Sequence, residues 1–230
     1  MMIQFLEWDS SFFNKKVGTF ECVGTNQSFV VDNDFDLIYI KQIDDKEVLF
    51  EKENFRLSHV ETKVIFSKMI SKINNLKDEF IISAFETSDY KQQLYELAFE
   101  SGKFSRFNLD ENFERSEFEA LYRKWVDNSL SKEFADEVLL YKQGDAILGI
   151  ITYKVNGNYA TVGLLATKSE SQGKGIGSRL VAAVESGLYE KGVEELRIPT
   201  QFQNEQACGF YTKMGYNVIE KIIIKHYWRL

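Results

Sequence analysis

Three glycines at alternate positions, Gly173, Gly175 and Gly177, stand where an apolar run, VGLLA (162–166), gives way to apolar residues at helical spacing, Ile176, Leu180, Val184 and Leu188. Glycines at the mouth of a helix let successive backbone N–H groups converge on one anion, and the helix dipole favours negative charge there. The segment Gln172-Gly173-Lys174-Gly175-Ile176-Gly177-Ser178 is therefore a candidate phosphate cradle, with Lys174 and Arg179 carrying positive charge close by. Two other phosphate motifs fail on spacing. A Walker A loop needs G-x-x-x-x-G-K-[ST], and the dinucleotide fingerprint needs G-x-G-x-x-G where this chain has G-x-G-x-G.

A second constellation follows at NEQACGFYTKMGY, Asn204 to Tyr216. Asn204 suits the N-cap of a helix of about ten residues, and Gly215 suits the position after its last turn. Ala207 and Tyr211 are four apart and share one helix face, so a small residue admits a ligand while a phenol points at its reactive end. Cys208 lies on the same helix without an evident basic partner to lower its pKa, which reads as a small buried residue and not as a nucleophile.

The elements that must hold these groups can be read in outline. FDLIYIKQI (35–43), RLSHVETKVIF (56–66) and EFIISAF (79–85) read as strands. Residues 86–103 read as a helix with Ser88 or Asp89 at its N-cap, Tyr90, Leu94, Leu97 and Ala98 at helical spacing, and Gly102 just past its end. Residues 116–130 read as a helix with Phe118, Leu121, Tyr122 and Trp125 in one stripe. Strands over 137–142, 146–155 and 158–166 are joined by turns at Gln143-Gly144-Asp145 and Asn156-Gly157. A helix over 176–191, a strand over 195–200, a helix over 205–214 and a strand over 216–228 complete the chain. The order gives a mixed α/β fold with an antiparallel meander and one crossover. Pro199, the single proline, marks a bulge or an edge.

Composition divides the 230 residues unevenly. Residues 1–102 carry 11 Lys or Arg against 18 Asp or Glu, while residues 103–230 carry 17 of each. Eleven of the 14 glycines lie beyond residue 140. Two unlike parts, 1–104 and 105–230, are expected, with the boundary in the polar stretch 101–113. A net charge of −7 argues against a nucleic-acid binder, which needs clustered Lys and Arg. No apolar run approaches the ~18 residues that suggest a membrane span. The opening MMIQFLEWDS lacks the basic and apolar regions of a signal peptide, so the cytoplasm is expected. Cys22 and Cys208 make no disulfide framework, and His59 and His226 stand outside zinc-ligand spacing, so no metal is expected.

The cradle matches [QR]-x-x-G-x-[GA], the pyrophosphate loop of the GNAT superfamily of N-acetyltransferases, and Asn204, Ala207, Phe210, Tyr211, Gly215 and Tyr216 match all six specified positions of that superfamily's next motif. The stretches LEWDSSFFNKKVG (6–18), SRFNLDENF (105–113), VGLLATKSESQGKGIG (162–177) and LRIPTQFQNEQA (196–207) resemble the dTDP-fucosamine acetyltransferase family. That resemblance implies a central mixed, mostly antiparallel sheet flanked by helices, preceded by a smaller, partly GNAT-like domain on the substrate side. It implies acetyl-CoA as the acyl donor and the 4-amino group of a dTDP-linked deoxy sugar as the acceptor.

It further implies that Leu165, Ala166 and Thr167 pair with the pantetheine arm in a gap beside ELRIPT (195–200), that residues 172–178 hold the pyrophosphate, and that Tyr211 serves as the acid for the departing thiolate. A thiol titrates near ~8.5 and a phenol near ~10, so hydrogen bonding to the thiolate describes that role better than full proton transfer. No general base is legible among Asp127, Glu137, Glu170 and Glu205. Acceptor contacts are sought among Trp8, Asp9, Phe13, Gln201, Tyr227 and Trp228. Another small amine, an amino acid or a protein amine remains an alternative acceptor, and a non-catalytic acyl-CoA sensor an alternative function. The oligomeric state is open, a homodimer included.

Overall fold

The computed structural model describes residues 3–22, 28–29, 34–43, 49–50, 54–71, 78–86 and 90–230. The first part holds β1 (Gln4–Phe5), α1 (Glu7–Phe13), β2 (Val17–Cys22), β3 (Ser28–Phe29), β4 (Leu37–Gln42), β5 (Leu49–Phe50), β6 (Phe55–Met69), β7 (Ile81–Ser83) and α2 (Lys91–Gly102). After them come α3 (Arg106–Leu109), α4 (Arg115–Leu130), β8 (Glu137–Gln143), β9 (Ala146–Asn156) and β10 (Tyr159–Thr167). The chain closes with α5 (Ile176–Glu190), β11 (Glu195–Gln201), α6 (Glu205–Lys213) and β12 (Asn217–Arg229). The hairpins at Gly144 and Gly157 form where the turn residues put them, producing the β8–β9–β10 meander.

A single ten-stranded sheet runs in the order β1-β2-β4-β12-β6-β11-β10-β9-β8-β7. Its pairs are antiparallel except β2 with β4 and β10 with β11, the latter joined through α5 as a crossover. Composition divides the chain near residue 104, but the sheet is continuous across that division. The 15-residue strand β6, from the acidic part, lies between β12 and β11, and β7 caps the far edge on β8. Pairings that span more than a hundred residues leave no local mark in a sequence, which is why β6 reads only as one strand among several.

Each face carries its own core. On one, Phe13 of α1, Leu94 and Leu97 of α2, and Phe118, Leu121 and Tyr122 of α4 pack against Tyr39, Leu140, Ile150 and Leu164. On the other, Ile176, Leu180, Val184 and Leu188 of α5 and Tyr211 of α6 pack against Val64, Phe66, Val162 and Ile198. The stripe read along α5 is buried throughout. Gly149 lets that helix approach closely, because a Cβ there would stand 2.9 Å from Ile176 Cγ2.

Gly102 corrects one expectation. It is the last residue of α2, not the residue beyond its end, and the cap residue Lys103 keeps right-handed backbone angles. What requires glycine is packing: a Cβ would stand 2.3 Å from the Tyr122 ring. The helix starts at Lys91 behind Tyr90, and the expected caps Ser88 and Asp89 lie outside the described residues. Pro199 sits in unbroken register opposite Ile65, so it marks no bulge on that side. On its other side β11 has already lost β10, which makes Pro199 an edge residue there.

Candidate functional site

The opening between β10 and β11 begins with a backbone irregularity. Parallel pairing covers only Tyr159–Thr161 against Glu195–Arg197. Immediately beyond, Gly163 and Leu164 stand opposite the single residue Thr152 of β9, and the register shifts. The Leu164 N–H donates to the Thr152 hydroxyl at 2.9 Å in place of a ladder bond. A Cβ on Gly163 would stand 2.8 Å from that oxygen. The extra residue turns the strand over. Ala160 and Val162 face α5, while Leu164 and Ala166 join the opposite core. β11 stays with β6 as far as Gln201, so β10 and β11 part and leave a cleft of about 540 Å³.

Residues 172–178 form the mouth of this cleft. Gly173 and Gly175 have φ of +76° and +80°, a region open to glycine and strained for other residues, and Gly175 is the N-cap of α5. These turns present the first-turn N–H groups of Ile176, Gly177 and Ser178, which have no helical carbonyl to bond. No atom lies within 4 Å of a Cβ built on either Gly173 or Gly175, so the approach to the backbone is clear. That donor set fits a diphosphate. Gln172 is held from the side by the Gln206 amide at 3.1 Å.

The facing wall is α6. Asn204 caps it as expected, its side chain accepting from Ala207 N–H at 3.1 Å. The helix ends in a Schellman motif, with Tyr216 N–H bonded to Tyr211 C=O and Gly215, at φ +85°, bonded to Thr212 C=O. Ala207 and Tyr211 both line the cleft. The Tyr211 ring is clamped by Phe66 at 5.4 Å and Phe210 at 5.2 Å, and only 5% of the residue is exposed. Its hydroxyl makes no hydrogen bond with any described residue, and burial pushes its pKa above the usual phenol value. Tyr211 is therefore a protonated donor with no acceptor among the described residues. Tyr216 behind it bonds Glu185 of α5 at 2.5 Å, and Lys68 of β6 completes that pairing at 2.9 Å, locking both helices to the sheet.

Leu165, Ala166, Thr167, Gln172, Gly173, Gly175, Ile176, Gly177, Ser178, Asn204, Ala207 and Tyr211 thus meet in one cleft. Lys174 does not; it is exposed and stands outside the wall. Arg179 is spent elsewhere, its guanidinium bonding both Asp78 oxygens at 2.5 and 2.6 Å and the Tyr141 hydroxyl at 2.5 Å. The cations on the cleft wall are Lys103, at the end of α2, and Lys213, in the last turn of α6. Lys103 was not legible, since nothing in the sequence brings α2 to the cradle, whereas Lys213 stands inside the second constellation, two residues beyond Tyr211.

Cys208, expected to be buried, is only partly so; its thiol lies toward the carbonyls of Gln201 and Phe202, and partial desolvation raises its pKa. The carboxylates weighed as bases lie off the cleft wall. Asp127 is paired with Lys91 and Tyr95, both at 2.8 Å, and Glu137 accepts from Ser83 at 2.7 Å. The carboxylate that does line the cleft is Glu100 of α2. Among the acceptor candidates, Phe13, Tyr227 and Trp228 are core residues, and Trp8 stacks on Phe12 at 5.1 Å on the surface. Among the described residues, no His, Cys, Asp or Glu cluster could hold a metal ion, and no helix is long and apolar enough to cross a membrane.

Residues 92–216 match the acetyltransferase (GNAT) family. The chain is 22% identical to the spore coat polysaccharide biosynthesis protein SpsD of Bacillus subtilis (strain 168), across 96% of this chain and 81% of that protein. It is 28% identical to the dTDP-fucosamine acetyltransferase of Escherichia coli O6:H1 over 151 residues, 64% of this chain and 62% of that enzyme. Among solved structures, the PaiA N-acetyltransferase of Thermoplasma acidophilum in complex with coenzyme A aligns with a TM-score of 0.50 at 23% identity, covering 65% of this chain and 99% of that one.

Proposed function

The chain belongs to the acetyltransferase (GNAT) family, and from that premise we propose that it moves the acetyl group of acetyl-CoA to the primary amine of a nucleotide-linked amino sugar. The observation that carries the reading is the cleft where β10 parts from β11, with a diphosphate-ready cradle at its mouth and the unspent Tyr211 hydroxyl on its wall. Likeness to a structure holding coenzyme A supports the donor, and the two curated relatives, both named for sugar chemistry, support the acceptor.

The residues divide the work as follows. First-turn N–H groups of Ile176, Gly177 and Ser178 hold the donor's diphosphate, aided by Lys103 and Lys213. Leu165, Ala166 and Thr167, freed from β11, offer backbone groups to the pantetheine amides as a neighbouring strand would. One of their N–H groups also stabilises the thioester oxygen as it gains charge. The amine attacks the carbonyl carbon, a C–N bond forms and the C–S bond breaks. The amine gives up its proton to solvent, and the Tyr211 hydroxyl donates a hydrogen bond to the thiolate that leaves. A raised phenol pKa suits that role, because the group stays protonated throughout. The N-terminal residues 1–104 are assigned to the acceptor side.

Purified protein incubated with labelled acetyl-CoA and a panel of dTDP-amino sugars, amino acids and peptides tests the reading. Label on a dTDP-amino sugar alone supports it. Label on peptides or free amino acids instead removes the nucleotide-sugar acceptor, and tight coenzyme A binding with no label transferred removes the catalytic reading.

A further inference from the structure

The first turn of α5, whose N–H groups form the cradle, is held from three directions. Beneath it, Gly149 of β9 leaves room for Ile176 and Leu180. On one flank, Phe210 of α6 lies beside Gly177, 3.4 Å from where a Cβ would stand. Both are apolar contacts, which keep the helix on the sheet but are non-directional and let it slide or roll. On the other flank stands Arg179, whose own N–H closes the turn on Gly175 C=O at 3.1 Å.

The Arg179 side chain is held on all of its edges and over its face. Nε and Nη2 donate to the two Asp78 oxygens at 2.5 and 2.6 Å, and Nη1 donates to the Tyr141 hydroxyl at 2.5 Å. The guanidinium lies 4.7 Å from the Tyr141 ring centre and 5.2 Å from that of Phe80. An exposed ion pair ordinarily contributes little, but a bidentate fork of this kind is the exception and carries geometric precision as well.

The partners are themselves fixed before the helix arrives. Asp78 Oδ1 accepts from Phe80 N–H at 3.1 Å, and Asp78 C=O accepts from Ile81 N–H at 3.1 Å, which makes the turn into β7. Phe80 C=O accepts from Lys142 N–H at 2.8 Å. Tyr141 of β8 stands opposite Ile81 on one side and Gly149 on the other, so its ring borders the notch that receives α5. Carboxylate, hydroxyl and notch thus belong to one piece of sheet edge, and Arg179 ties the cradle helix to it across a hundred residues of chain. None of the three polar groups lines the cleft.

We propose that Asp78 and Tyr141, acting through Arg179, are positioning residues for the acyl donor. They hold the first turn of α5 at the angle where the N–H groups of Ile176, Gly177 and Ser178 converge on the diphosphate of coenzyme A. The proposal rests on the cradle reading given above and adds the edge strand β7 to the donor site. It separates cleanly from a charge effect. A cation in the first turn of a helix opposes the helix dipole and attracts an anion, and Asp78 cancels it. Charge alone therefore makes Asp78 a hindrance to diphosphate binding, whereas the clamp makes it a requirement.

Calorimetric titration of coenzyme A into the full chain decides between them. The proteins are wild type, Asp78→Asn, Tyr141→Phe, Arg179→Gln and the double variant Asp78→Asn with Arg179→Gln. Asparagine can still accept from Phe80 N–H but offers the guanidinium one acceptor oxygen in place of two. Both single changes at the ion pair should weaken binding about fivefold, and the double variant should bind no more weakly than either, because the groups act as one unit. Tyr141→Phe alters no charge and should weaken binding in the same direction. The loss must fall on the dissociation constant, since a partly unfolded sample lowers the bound stoichiometry instead. Tighter binding by Asp78→Asn, additive losses in the double variant, or wild-type dissociation constants in both Asp78→Asn and Tyr141→Phe overturn the clamp. The titration needs no acceptor, so the transfer reading fails separately, as coenzyme A binding without acetyl transfer.

Discussion

The backbone N–H of Leu164 is bonded to the side chain of Thr152, 2.9 Å away, and not to its carbonyl. This one substitution of a hydroxyl for a ladder acceptor accommodates the extra residue in β10 and turns the strand over. The cleft therefore depends on Thr152 although Thr152 is not among the residues that line it.

Thr152→Val keeps the shape and removes the acceptor. The buried Leu164 N–H is then left unpaired, at a cost of about 1–3 kcal/mol. Denaturant titration should show that loss, and calorimetry should show weaker coenzyme A binding because β10 can drift toward regular pairing.

Gly175→Ala should act on the cradle and little else. The residue's φ of +80° costs an alanine about 1–2 kcal/mol, and relief of that strain misdirects the first-turn N–H groups. Coenzyme A affinity measured by calorimetry should fall about tenfold, while the helix content seen by circular dichroism stays constant.

Gly102→Ala separates packing from helix propensity. In an open helix the change would stabilise by up to about 1 kcal/mol. Here the added methyl meets the Tyr122 ring at 2.3 Å, so the protein should instead lose about 1–3 kcal/mol in urea titration. Stabilisation would show that the ring moves aside at no cost.

His226 makes stability depend on pH in a defined window. Its folded pKa of about 4 lies below the ordinary 6.5, so the unfolded chain binds the proton first as pH falls. The contribution, of order 3 kcal/mol, is complete above pH 6.5 and lost as pH falls toward 4. Burial sets this direction, the charges of Arg106 and His59 add to it, and Asp110, hydrogen-bonded to the ring, opposes it without reversing it. His226→Asn, whose amide can still donate to Asp110, should remove that slope from melting temperatures recorded between pH 7 and pH 4.

Local chemistry was legible and distant chemistry was not. The Asn204 cap, the Gly215 turn and the cradle glycines announce themselves because each is fixed by residues three or four positions away. The central place of β6, the arrival of Lys103 at the cleft, and the meeting of Glu61 with Arg106 all depend on pairings formed only once the sheet assembles. Gly102 shows the same limit at one residue, since a glycine near a helix end reads as a cap until a ring from another helix is seen beside it. The Thr152 hydroxyl carries no signal at all, being one more β-branched residue in a strand.

The central claim, that the Tyr211 hydroxyl assists departure of the thiolate, is tested most directly by the kinetics of Tyr211→Phe. The phenyl ring keeps the packing against Phe66 and Phe210 and loses only the oxygen. The account predicts that kcat falls by ~10²-fold or more while acetyl-CoA affinity is nearly unchanged. A variant that turns over at the wild-type rate would contradict it.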